Sequence, residues 1–161
     1  MTLPKFIIRE IREEEIPLLE DFLYEAIYLP PGMETPPRSI LQDDALQVYI
    51  KDFGHSPDDK CLVAEVNGTV VGAVWTRIMQ DYGHVNDDTP SLAIALYADY
   101  RGKGIGTEMM KRMIEWLRLC GYRQVSLSVQ KENKAVRLYQ KVGFDIVLDH
   151  DEEYVMICRF T

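Results

Sequence analysis

Apolar residues along this chain follow two periods, and the switches between them mark its elements. Short alternating or β-branched runs predict strands at Phe6 to Glu10, Cys61 to Val66, Thr69 to Met79, Leu92 to Tyr97, Gln124 to Val129 and Glu153 to Phe160. Asn67-Gly68 is the favoured two-residue hairpin turn between the second and third of these. Elsewhere the spacing is helical. Ile16, Leu19, Leu23, Ala26 and Ile27 share one face, with Pro17 tolerated in the first turn. Ile40 to Phe53 predicts a second helix, and Pro30-Pro31-Gly32 and Pro36-Pro37 bracket a rigid loop before it. Ile105, Met109, Met113, Trp116, Leu117 and Cys120 line a long third helix, and Ala135, Leu138, Tyr139 and Val142 a fourth. With one more strand before Glu153, the order is strand, two helices, three strands, helix, strand, helix, two strands.

Composition narrows the class. At 161 residues and 47% hydrophobic, the chain can bury one good core, and it has no repeat or low-complexity segment. Met1 to Glu15 is charged and lacks the apolar run of a signal peptide, and no stretch approaches membrane-spanning length. Cys61, Cys120 and Cys158 are odd in number and widely spaced, which predicts reduced core cysteines, with neither a disulfide framework nor a metal site. A cytoplasmic protein is the expectation. The net charge of −8, without a basic run, disfavours nucleic acid as a partner.

The segment Arg101-Gly102-Lys103-Gly104-Ile105-Gly106-Thr107 changes the picture most. It follows a strand and opens an amphipathic helix, and its glycines leave backbone N–H groups uncovered. The first N–H groups of a helix have no internal partner, and the helix dipole favours negative charge there. Arg101 and Lys103 add cations suited to phosphate. An acidic chain must hold a polyanion through such local donors, not through its overall field. The spacing is neither the G-x-G-x-x-G of a dinucleotide turn nor a Walker loop.

This run resembles the Arg/Gln-x-x-Gly-x-Gly/Ala signature of the GCN5-related N-acetyltransferase (GNAT) superfamily. About thirty residues on, Asn133-Lys134-Ala135-Val136-Arg137-Leu138-Tyr139-Gln140-Lys141-Val142-Gly143-Phe144 resembles the family's Asn-x-x-Ala-x-x-Leu-Tyr-x-x-x-Gly-Phe segment, matching it from Ala135 to Phe144, with Asn133 one residue nearer the Ala than in that pattern. The resemblance covers roughly Leu62 to the C-terminus. It implies an α/β (α+β) single-domain fold over residues 1–161, with a mixed, strongly bent sheet of about seven strands and helices on both faces. It also implies an N-acetyltransferase that uses acetyl-coenzyme A as co-substrate.

By the same resemblance, Arg101, Gly102, Lys103, Gly104, Ile105, Gly106 and Thr107 hold the pyrophosphate. Asn133 and the backbone of Ala95, Leu96 and Tyr97 contact the pantetheine arm, which enters where the fourth and fifth strands splay apart. Tyr139 protonates the departing thiolate. A phenol with an ordinary pKa of about 10 is protonated at neutral pH and can donate to a thiolate near 8.5. Many relatives carry a Glu base on the fourth strand, but Ser91, Leu92, Ala93 and Ile94 offer no carboxylate. A water chain to Asp81, His84 or Glu65 is the substitute, and the sequence does not choose among them. Tyr28, Met33, Tyr82 and His84, with Glu34, Asp87 and Asp88 nearby, are the acceptor-site candidates, a set suited to a small-molecule or peptide amine. Two readings stay open: an enzyme, and a non-catalytic acyl-coenzyme A sensor. A homodimer is also left open.

Overall fold

The computed structural model describes residues 5–160, so residues 1–4 of the Met1 to Glu15 segment lie outside the described residues. Strands form at Ile7–Glu10 (β1), Lys60–Val66 (β2), Thr69–Arg77 (β3), Ser91–Leu96 (β4), Gln124–Gln130 (β5), Phe144–Asp149 (β6) and Glu153–Arg159 (β7). They make one sheet in the order β1-β2-β3-β4-β5-β7-β6. Every neighbouring pair is antiparallel except β4 and β5, which are parallel. Asn67 and Gly68 both take positive φ, 51° and 80°, as the predicted two-residue turn between β2 and β3 requires.

Alternation along the strands sends apolar side chains to both faces, so each face needs its own cover. On β3, Ala73 and Trp75 face a cluster with Leu19, Phe22 and Leu23 of helix α1 (Leu18–Ala26). Val74, one step out of phase, faces the opposite cluster with helix α3 (Ile105–Leu119), which follows a one-turn helix α2 (Asp44–Gln47) in the chain. Ile105, Met109, Met110, Met113 and Leu117 of α3 are fully buried. At roughly 1.5–3 kcal/mol for each large apolar side chain buried, this one face anchors the helix to the sheet. Helix α4 (Ala135–Lys141) joins the same layer through Leu138 and Tyr139. Among the described residues no helix is long and apolar enough to cross a membrane.

The predicted helix from Ile40 to Phe53 does not form as one piece. A 3-10 turn at Arg38–Gln42 gives way to α2 because Asp43 between them is extended, with φ −62° and ψ 136°. After α2 the carbonyls that would continue a helix are taken from the side. Trp75 Nε1–H donates to Tyr49 C=O at 3.0 Å, and Arg77 Nη1 donates to Val48 C=O at 3.2 Å and Lys51 C=O at 2.9 Å. The apolar period still does its work, since Leu41 and Phe53 are buried and Leu46, Tyr49 and Ile50 pack beside them. Element ends also move. β3 stops at Arg77 and not Met79, β4 ends before Tyr97, and α1 begins after a 3-10 turn at Glu13–Glu15. Cys61 and Cys158 are buried thiols, but Cys120 is exposed: it is the C-cap of α3, beyond the last buried residue, Leu117.

Candidate active site

Ser91 and Ser126 form the one registered pair between β4 and β5. Beyond it the strands part, and a cleft opens in two connected halves of about 920 and 1120 Å³ that share Ile94, Asn133 and Tyr139 in their walls. Just past β4, Tyr97 N–H donates to Val71 C=O of β3 at 3.0 Å. Strand alternation then turns the backbone groups of Ala95 toward β3 and those of Ile94 and Leu96 toward the gap. Of Ala95, Leu96 and Tyr97, Leu96 is therefore the residue with an outward backbone edge. Ile94 is the neighbour that the sequence reading missed, although counting the alternation back from Tyr97 would have found it.

The larger half ends at the glycine loop. Gly102 and Gly104 have φ of 73° and 87°, where an L side chain is strained, and a Cβ at either would meet nothing within 4 Å. Backbone conformation, not crowding, calls for glycine at both. Among the described residues the N–H groups of Gly102 through Thr107 meet no protein acceptor, and the first bond of α3 runs from Glu108 N–H to Gly104 C=O at 3.2 Å. Gly102, Gly104, Gly106 and Thr107 line the cleft, whereas Ile105 is fully buried in the core and Lys103 is exposed outside it. Arg101 also lines the cleft, with its guanidinium bonded to the protein. Its Nε donates to Leu96 C=O at 2.9 Å and its Nη2 lies 3.2 Å from Glu25 Oε2. The arrangement is a run of unpartnered backbone donors, stapled to β4 and α1 by one guanidinium.

Opposite the loop, Asn133 Oδ1 accepts from the N–H of Ala135, the first residue of α4, at 2.9 Å, while Asn133 also lines both halves of the cleft. Tyr139 is 9% exposed and packs its ring 6.0 Å from Phe144. Burial pushes its phenol up to about 12, which keeps it protonated throughout the neutral range. It therefore lines both halves of the cleft, protonated and with no hydrogen-bond acceptor among the described residues.

The smaller half has a different chemistry. Tyr28, Tyr49 and Tyr82 line it together with Asp149, Asp151, Glu152 and Glu153, and among the described residues no Lys or Arg does. The acidic run belongs to the turn and strand ends of the β6–β7 hairpin, which the sheet order brings beside β5. Asp149 pairs with Lys131, and the others have no such partner within the described residues. Of the sequence candidates, Tyr28 and Tyr82 lie here. Met33 is 64% exposed and lines neither half. His84 also stands outside the lining, with Nε2 3.3 Å from Asp87 Oδ1. Glu65 pairs with Arg9 Nε at 3.6 Å, likewise away from the cleft.

Asp81 stands just behind this half. Ser91 Oγ donates to its Oδ1 at 2.8 Å. Burial nevertheless outweighs the neighbours that favour its charged form and raises its carboxyl above the usual range.

Comparison with known proteins agrees with this geometry. An N-acetyltransferase of Bacillus subtilis is 34% identical over 83 residues, 51% of this chain and 30% of that protein. The chain spans 30%, 44% and 64% of the lengths of the first three curated relatives it matches. The crystal structure of a GNAT-family acetyltransferase from Streptococcus pneumoniae superposes with a TM-score of 0.71 at 24% identity, covering 97% of this chain and 100% of that one. PaiA N-acetyltransferase from Thermoplasma acidophilum, solved in complex with coenzyme A, gives 0.71 at 18% identity over 97% and 99%. The profile of the acetyltransferase (GNAT) family matches residues 22–144, from α1 through the glycine loop to the start of β6, and this chain belongs to that family.

Proposed function

We propose that the protein transfers an acetyl group from acetyl-coenzyme A to a primary amine that carries positive charge. The observation that carries the reading is the polarity of the cleft. One end presents free backbone N–H groups from Gly102 to Thr107, and the other is walled by carboxylates and tyrosines without a Lys or Arg among the described residues. A polyanionic donor fits the first end and a cationic acceptor the second. The outward backbone of Ile94 and Leu96 supplies a strand edge for an amide-bearing arm, in the manner of strand addition. The Thermoplasma relative that holds coenzyme A has the same fold, which supports this placement of the donor.

Acetyl-coenzyme A supplies an acetyl group activated as a thioester. The protein's own residues then have three tasks: to place the amine against it, to take a proton from the nitrogen, and to give one to sulfur. Tyr139 is the donor to sulfur, because it lines both halves of the cleft and its phenol stays protonated at neutral pH. The test is calorimetric titration with acetyl-coenzyme A, followed by thiol release with a panel of primary amines. Wild type should bind and turn over cationic amines in preference to neutral ones. Gly104→Val, which forces a branched side chain to φ 87°, should lose binding. A wild type that does not bind acetyl-coenzyme A overturns the reading.

A further inference from the structure

We infer that the segment from Leu29 to Pro36 is a wall for the pantetheine arm of acetyl-coenzyme A, and that Tyr24 is the positioning residue that holds it there. The inference rests on the acetyltransferase reading above and deepens it. A loop that the sequence places with the acceptor serves the donor instead.

Three observations carry it. First, the segment divides unequally between the halves of the cleft. Leu29, Pro31, Thr35 and Pro36 line the half that ends at the glycine loop, and none of them lines the acidic half. Met33, the acceptor candidate among them, lines neither. The backbone accounts for the split. Met33 N–H donates to Pro30 C=O at 3.1 Å, closing a β-turn in which Gly32 takes φ 84°. Pro31 is left in the cleft wall, and Met33 is turned to solvent.

Second, the segment is tied at its far end. The Tyr24 hydroxyl of α1 donates to Pro36 C=O at 2.5 Å, twelve residues on. This closes residues 24–36 into a loop whose ends meet, and Tyr24 itself lines the donor half. Arg38 lies over the Tyr24 ring at 5.1 Å and donates to Asp21 Oδ1 of α1 at 2.7 Å. That ion pair is about half in solvent and adds little, so the hydroxyl bond is the main tie.

Third, the wall has the chemistry of the arm. Leu29, Pro31 and Pro36 present side chains with neither charge nor hydrogen-bond donors, and phosphate set against them would lose its water without a replacement. The free backbone N–H groups that suit phosphate are on the glycine loop instead. Helix α1 covers one face of the sheet and α4 the other, and Ala135 and Leu138 of α4 line the same half. An aliphatic arm with two amides fits between these two walls, beside the outward edge of β4.

The experiment measures by calorimetry the affinity of wild type, Tyr24→Phe, Leu29→Ala and Met33→Ala for two probes. One is acetyl-coenzyme A, and the other is adenosine 3′,5′-bisphosphate, a nucleotide end without the arm. Acetylation of 1,4-diaminobutane, spermidine and lysine amide at saturating donor then gives KM for each acceptor. Tyr24→Phe removes one hydrogen bond and keeps the ring, and should weaken acetyl-coenzyme A about three- to tenfold. Leu29→Ala should weaken it by a similar factor, through lost apolar contact. Both should bind the bisphosphate as wild type does and keep its order of preference among the three amines. Met33→Ala should change neither affinity. The wall is overturned if Tyr24→Phe and Leu29→Ala both bind acetyl-coenzyme A as wild type does. It is also overturned if they shift acceptor KM or preference while donor affinity holds, which would return the loop to the acceptor. An equal loss for the bisphosphate overturns it too, since the damage would then lie in the fold or the glycine loop and not along the arm. Loss by Leu29→Ala alone keeps the wall and overturns Tyr24 as its tie. Should Tyr24→Phe fail to fold, Leu29→Ala reads the wall by itself. A wild type that binds acetyl-coenzyme A but acetylates none of the amines overturns the enzymatic reading alone, because the donor affinities still decide the wall. A wild type that does not bind acetyl-coenzyme A overturns both.

Discussion

Ser91 of β4 faces Ser126 of β5 at the apex of the fork, and both side chains are fully buried. The apex is held by small groups at close range. Ser126 N–H donates to Pro90 C=O at 3.0 Å, Ser91 Oγ donates to Asp81, and Gly83 lies flat against the backbone of β5. A Cβ at Gly83 would sit 3.0 Å from Leu127 C and Ser128 N, which are main-chain atoms and cannot swing aside. Gly83→Ala should therefore destabilise the protein by about 1–3 kcal/mol, the range of overpacking in a tight site. Calorimetry should find Tm lowered by roughly 2–4 °C for each kcal/mol. An unchanged Tm would mean that the 81–84 loop is not wedged on β5.

Arg101 offers a sharper question, because it lines the cleft while its guanidinium holds Leu96 C=O and Glu25. As a staple for the loop it is worth little, since the pair with Glu25 is half in solvent. Arg101→Ala should weaken acetyl-coenzyme A binding by less than about tenfold. Glu25→Gln separates the two roles. If Arg101 positions the loop, loss of its partner leaves affinity unchanged or slightly weaker. If Arg101 serves phosphate directly, freeing it from Glu25 tightens binding, and isothermal titration would read that sign.

Acid should reveal a second device at the start of α1. Glu15 accepts from Arg9 Nη1 and Nη2 at 2.8 Å each and from Arg12 N–H at 2.9 Å. The bonds to Arg9, then the Arg12 amide, hold its carboxyl down from the ordinary 4.5 to about 2 against the opposing effect of desolvation. A carboxyl whose pKa is lower in the folded state stabilises the fold above the unfolded value and loses that contribution as pH falls through the folded one. Urea unfolding of wild type and Glu15→Gln should thus differ most near neutral pH. The gap should close between pH 4.5 and about 2. A gap independent of pH would assign the stabilisation to packing.

What could be read from sequence was whatever depends on neighbours along the chain. Gly102 and Gly104 announce positive φ and open N–H groups within seven residues, and Tyr139 sits on an apolar stripe whose period is visible by itself. Asn67-Gly68 specifies its own turn. The acidic wall was missed for the opposite reason. Asp151 and Glu152 precede the predicted last strand and Glu153 begins it, and nothing local brings them to a cleft until β7 is placed between β5 and β6, a matter of sheet order. The Ile40 to Phe53 segment failed similarly. Its period was right for burial, but Trp75 and Arg77, some twenty-five residues on, take the carbonyls a helix needs. Met33 followed the same logic in reverse: a loop position suited to the acceptor lies 64% exposed and outside the cleft.

Tyr139 supplies the last prediction. It lines both halves of the cleft, and burial alone raises its pKa to about 12. Tyr139→Phe removes one oxygen and leaves the ring against Phe144, so the fold and the acetyl-coenzyme A affinity should hold. The rate should not. Loss of a general acid at the leaving sulfur is expected to lower kcat about 10²–10⁴-fold. The raised pKa has a second consequence, in the alkaline range. A phenol with its ordinary pKa would begin to fail as donor near pH 10, and the wild-type rate would bend downward there. With the value at about 12, the wild-type rate should instead stay level or rise toward pH 10 as more of the amine loses its proton. A downward bend absent from Tyr139→Phe would show a donor of ordinary acidity. Equal rates for the two proteins at every pH would mean that solvent, not Tyr139, protonates the sulfur.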